Sequence, residues 1–128
     1  MLCGGQRNGS TLEPAVLTGT RTEMKVNCQE IFGPVVTIEP YTDFSDALKQ
    51  INNSPYGLQA GIFTRDAKLL FSAYEELEVG ALMAGDVPTF RIDHMPYGGI
   101  KDSGLGREGL RYAIEEMTEP KLLVMNLR

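Results

Sequence analysis

The chain has 128 residues, 42% of them apolar and 23% charged, with a formal net charge of -5, enough for one globular domain with a modest core. The negative balance argues against nucleic acid or an anionic membrane as partner, and no apolar run approaches the length of a membrane span. Two cysteines without metal-ligand spacing and one histidine argue against a metal site; with no leader pattern at M-L-C-G-G-Q-R, a reduced cytoplasmic setting is expected, in which Cys3 and Cys28, able to pair in principle, have no reason to.

In chain order, Leu2-Cys3 reads as the tail of a strand and Gly4–Gly9 as turn-rich. Leu12–Thr18 and Val35–Tyr41 are expected strands, the second with Val36 and Ile38 apolar and a proline near its end. Three amphipathic helices follow. Phe44, Ala47, Leu48 and Ile51 form one stripe, with Asp43 as N-cap and Asn52-Asn53-Ser54-Pro55 as stop. Leu70, Ala73, Tyr74 and Leu77 form the second, capped by Asp66. Leu110, Ala113, Ile114 and Met117 form the third, stopped before Pro120. Strand-like runs lie at Leu58–Thr64, Val79–Ala84 and Lys121–Leu127. This order predicts an α/β fold, with helices flanking a mostly parallel sheet. The stretch from Gly85 to Ser103 has neither period, and irregular segments of that length tend to be functional.

Within Gln29–Val36 (Q-E-I-F-G-P-V-V), Glu30 and Phe32 stand two apart, so an extended backbone would put carboxylate and ring on one side. A carboxylate can accept both hydroxyls of a ribose, and a ring can pack on a nicotinamide. On composition alone they are a surface charge and a core aromatic at a strand entrance. Gly33 and Pro34 are expected to set the turn that aims them. Gly104–Gly109 spells G-x-G-x-x-G, but a dinucleotide fingerprint needs a strand directly before it and a full βαβ unit after it. A close approach of loop to helix is the better reading. In the long irregular segment, Arg91 would pair with Asp86 or Asp93, and His94 is a lone histidine. Cys28 is two residues from Glu30, where a neighbouring carboxylate disfavours the thiolate.

Together, Q-E-I-F-G-P-V-V and Pro96–Gly109 (P-Y-G-G-I-K-D-S-G-L-G-R-E-G) resemble the aldehyde dehydrogenase superfamily, from about Leu2 to the last residue. The resemblance implies the C-terminal part of the catalytic domain over residues 1–120, with an oligomerisation strand over 121–128. It implies that Glu30 and Phe32 are cofactor-binding, facing the nicotinamide side of NAD or NADP. It places Arg91, His94 and Tyr97 along the substrate tunnel, and an arginine there suits a small aldehyde with an anionic tail. The wording T-F-R-I-D-H-M-P-Y-G-G is similar to branches acting on succinic semialdehyde, lactaldehyde or glyceraldehyde 3-phosphate. The family's nucleophilic cysteine, general base and dinucleotide-binding fold lie upstream of the matching region. No catalytic residue is therefore assigned here, the segment is expected to be inactive alone, and self-association through the C-terminal strand is expected. Two other readings stand beside this one: a stand-alone assembly or regulatory module, and, ranked last, an enzyme using Cys28 with His94.

Overall fold

The structure, a computed structural model, describes residues 1–127. It divides into two compact units, Met1–Pro55 and a second from Tyr56 onward.

In the first unit, β1 (Arg7–Asn8) and β2 (Thr11–Leu12) form a small antiparallel hairpin, and β3 (Ala15–Leu17) pairs in parallel with β4 (Val35–Thr37). Cys3 bridges antiparallel to Val16, so the expected strand tail at Leu2-Cys3 is present as a single bridge. Between β3 and β4 runs a single helical turn, α1 (Lys25–Cys28), which has no apolar period and was not expected. The helix α2 (Phe44–Asn52) starts as its pattern predicts, with the Asp43 carboxylate accepting from the Asp46 amide at 2.9 Å. An acceptor at that position satisfies one of the orphan amides of the first turn. Leu48, in the middle of the apolar stripe, is buried.

The second unit is organised around a βαβ element: β6 (Gln59–Ile62), α3 (Ala67–Glu76) and β7 (Ala81–Ala84), with β6 and β7 parallel over four residue pairs. Asp66 caps α3 by accepting from the Lys68 amide, and Ala73 on its inner face is fully buried. Short β5 (Tyr56–Gly57) pairs antiparallel with β8 (Ile100–Lys101), and α4 (Leu110–Met117) follows the glycine-rich loop.

Two features of the strands matter. The sheet expected to be mostly parallel is four two-stranded ladders, of which the two parallel ones are the longer. Lys121–Leu127 joins no ladder with any described residue, and Leu122, Leu123, Val124, Met125 and Leu127 are all exposed. A strand exists only where another offers its edge, and no described segment does so; Arg128 lies outside the described residues.

The reason for such open packing is the shortage of partners. Among the described residues only Ala15, Leu48, Ala73 and Met83 are buried apolar side chains. The accessible area is 10435 Å², against about 6700 Å² expected for a folded monomer of this mass. Apolar side chains such as Phe32, Phe71, Leu110 and Met117 are left uncovered.

Candidate functional site

The segment Gln29–Val36 is fastened at both ends. At its start the Gln29 amide donates to the Lys25 carbonyl, closing α1; at its end Val35 donates to the Gly33 carbonyl, and Ala15 donates to the Pro34 carbonyl. Between these ties the backbone leaves the extended region at Phe32. Phe32 has φ +49°, a left-handed conformation that is a genuine outlier for an aromatic residue. Glu30 and Phe32 are therefore not set on one side by simple alternation, which requires the backbone to stay extended through Phe32 itself. The strain sits on Phe32 rather than on Gly33, whose φ is ordinary and whose position leaves room for a Cβ. Backbone strain of this kind costs about 1–3 kcal/mol and persists where its surroundings over-determine it, often at ligand clamps.

Both side chains are on the surface. The Phe32 residue is 90% exposed, and Glu30 makes no hydrogen bond or ion pair among the described residues. Neither lines the depression of about 390 Å³ in this unit, which is walled by Thr20, Asn27, Cys28, Glu39 and Tyr41 among others. There the Glu39 carboxylate accepts from the Thr20 amide and hydroxyl, and those bonds hold its pKa below the usual carboxylate value. The Cys28 thiol turns to the Glu23 carbonyl, and both cysteines are free thiols.

In the second unit the irregular segment and the glycine-rich loop come together. An antiparallel bridge joins Tyr97 to Glu108, with the Glu108 amide donating to the Tyr97 carbonyl at 2.6 Å and the reverse bond at 3.1 Å. Arg91 lies over the Tyr97 ring, 4.7 Å from its centroid, and donates through Nη2 to Glu108 Oε2 at 3.1 Å. The pairing expected with Asp86 or Asp93 is thus corrected to Glu108: the bridge carries Glu108 to Arg91, while Asp86 accepts from the Val87 amide. Arg91, Asp93, Arg107, Glu108 and Glu116 border a surface depression of about 500 Å³. His94 is exposed and does not border it.

The glycine stretch serves packing. Gly109 has φ +121° at the start of α4, and a Cβ there would meet the Met95 carbonyl at 2.9 Å and the Tyr112 ring at 3.1 Å. A turn separates the stretch from β8, so it lacks the directly preceding strand of a dinucleotide fingerprint. Arg107, within the stretch, donates to the carbonyls of Gly99 and Gly106 and pins the loop. Sequence reasoning did not find Glu108, Arg107 or Ser103, whose hydroxyl accepts from the Gly57 amide at 2.9 Å. Their roles depend on how the loop turns back, and no residue spacing announces that.

Residues 1–123 match the aldehyde dehydrogenase family. A 3-sulfolactaldehyde dehydrogenase from Priestia aryabhattai is 49% identical over 97% of this chain and 26% of its own length. A lactaldehyde dehydrogenase from Methanococcus aeolicus is 46% identical over 100% of this chain and 27% of its own. Among solved structures, aldehyde dehydrogenase 21 from Physcomitrella patens, in complex with the reaction product succinate, superimposes with a TM-score of 0.92 at 49% identity, covering 97% of this chain and 26% of that one. The chain spans about a quarter of the length of the curated relatives it matches. With a match along almost all of its residues, this chain belongs to the aldehyde dehydrogenase family.

Proposed function

We propose that this chain is the C-terminal portion of an NAD(P)-dependent aldehyde dehydrogenase that oxidises a small aldehyde carrying an anionic tail. The observation that carries the reading is near-half identity, along almost the entire chain, to dehydrogenases acting on such aldehydes. In this reading the rest of the enzyme provides the nucleophile and the general base, and the segment alone is inactive. The dinucleotide, when bound, supplies the hydride acceptor. Glu30 and Phe32 fit its nicotinamide side: a carboxylate with no partner among the described residues can accept from ribose hydroxyls, and an uncovered ring can bear on the nicotinamide. Their contribution is orientation.

Arg91 is the residue assigned to the anionic tail, because a guanidinium binds carboxylate, sulfonate or phosphate with two donors at once. The sulfonate of one relative's substrate and the succinate held by another are anions of that kind, whereas lactaldehyde is neutral. In the full-length enzyme carrying this segment, Arg91→Leu should raise KM for a sulfonate- or carboxylate-bearing aldehyde about 10–100-fold, the worth of a charged hydrogen bond, with KM for lactaldehyde changed less than about twofold. Equal effects on both substrates remove the assignment. His94 is exposed, makes no ion pair among the described residues and does not border this depression, so no substrate contact is assigned to it.

The uncovered tail favours one further element of the proposal, that residues 121–128 pair with a second polypeptide and make the enzyme a homo-oligomer. Sedimentation of the full-length enzyme should show an oligomer that falls apart when Leu123 and Met125 are both changed to lysine. A native enzyme that sediments as a monomer at high concentration contradicts it.

A further inference from the structure

Arg91 is held from two sides, and its holders are themselves tied together. The Tyr97 ring lies under its guanidinium at 4.7 Å, and Glu108 takes its Nη2 at 3.1 Å. Tyr97 and Glu108 face each other across a two-bond backbone bridge, which fixes the main-chain positions from which both side chains reach Arg91. The Arg91 side chain is nevertheless 48% exposed, and its Nε and Nη1 make no hydrogen bond or ion pair among the described residues. An ion pair this exposed contributes little to folding. What it does is choose one rotamer for a long, flexible side chain and leave the other donor edge open over the depression that Arg91 and Glu108 border.

We propose that Glu108 and Tyr97 are positioning residues that set Arg91 in advance as an anion-binding fork. This rests on the reading of Arg91 given above. An arginine that must be ordered on binding spends affinity doing so, and a clamp in the free enzyme removes that cost. The alternative role for Glu108 is simple neutralisation of Arg91, and the two roles predict opposite signs. If Glu108 only cancels charge, its removal frees Arg91 and tightens an anionic aldehyde. If it positions, removal loosens Arg91 and weakens that aldehyde.

The test uses the full-length enzyme with one sulfonate- or carboxylate-bearing aldehyde and one neutral aldehyde. Glu108→Ala should raise KM for the anionic substrate about three- to tenfold, from lost preorganisation, with kcat and the neutral KM changed less than about twofold. Glu108→Gln keeps an acceptor for Nη2 and should restore most of the loss. Tyr97→Phe keeps the ring under the guanidinium and should raise the anionic KM less than Tyr97→Leu, which should reproduce the charge-selective rise. If Glu108→Ala fails to fold, the Tyr97 pair decides alone. A lowered or unchanged anionic KM in Glu108→Ala, or an equal rise for both substrates, overturns the clamp. If Arg91→Leu is itself unselective, the anion reading falls and takes the clamp with it. If Arg91→Leu is selective and Glu108→Ala is not, only the clamp falls.

Discussion

Gly80→Ala is expected to be the most damaging small substitution in the second unit, lowering stability by about 3 kcal/mol or more. Gly80 stands immediately before β7 and donates to the carbonyls of Gly57 and Leu58, both at 3.0 Å. A Cβ at this position would lie 1.8 Å from the Gly98 carbonyl oxygen and 2.9 Å from that of Leu58. Both obstacles are backbone, so no side chain can swing aside, and the loop or β7 must shift. Gly98 follows Tyr97 directly, so the displacement also disturbs the bridge to Glu108 that holds Arg91. Gly85→Ala is the control. Its φ is +74°, but nothing lies within 4 Å of the added carbon, and the cost should be only the left-handed strain of about 1–2 kcal/mol. Urea denaturation of the full-length enzyme distinguishes them: similar losses at the two positions would mean that Gly80 is not a steric contact.

How far the sequence led is best judged element by element. Helices α2 and α3 were legible in both place and cap, because an apolar stripe of period 3.6 and an Asp at the N-cap are local signals that the fold had only to honour. The parallel pair β6–β7 follows from that pattern as well, since a strand, a helix and a strand in close succession return to the same sheet. The tail, expected as a strand that pairs with another chain, joins no ladder among the described residues, because apolar residues in sequence report only a demand for burial and no described segment meets it. The hairpin β1–β2 and the pair β5–β8 are only two residues per strand, too short for any periodicity to register. At the site, Glu30 and Phe32 were picked out by order of residue types, but the left-handed backbone at Phe32 was not, since nothing about a phenylalanine announces it. The partner of Arg91 was missed for a different reason. Glu108 is seventeen residues away, beyond any local rule, and the bridge to Tyr97 is what delivers it.

The left-handed backbone at Phe32 makes the proposed cofactor contact separable from folding. A phenylalanine that served the core would be buried, and its removal would cost about 3–5 kcal/mol. Phe32 is 90% exposed and sits at a φ that suits glycine better. In Phe32→Gly, relief of the strain opposes the added freedom of the unfolded chain, and the two effects are of similar size, about 1 kcal/mol each. The cofactor-free full-length enzyme should therefore melt within a few degrees of wild type. Its kcat, however, should fall about a hundredfold, because an unsupported nicotinamide is displaced by an ångström or so from the line of hydride transfer. Glu30→Gln should act beside it, without loss of stability, since the carboxylate has no partner among the described residues to lose. It should cost about 10–100-fold in kcat/KM for the dinucleotide, the worth of hydrogen bonds to a charged acceptor. Phe32→Gly carries the sharper decision. If it lowers the melting temperature strongly while turnover is preserved, the ring is a packing residue and the cofactor assignment is wrong. If the melt is preserved while turnover is lost, strain that folding does not need is being held at this position for the sake of the ring's direction.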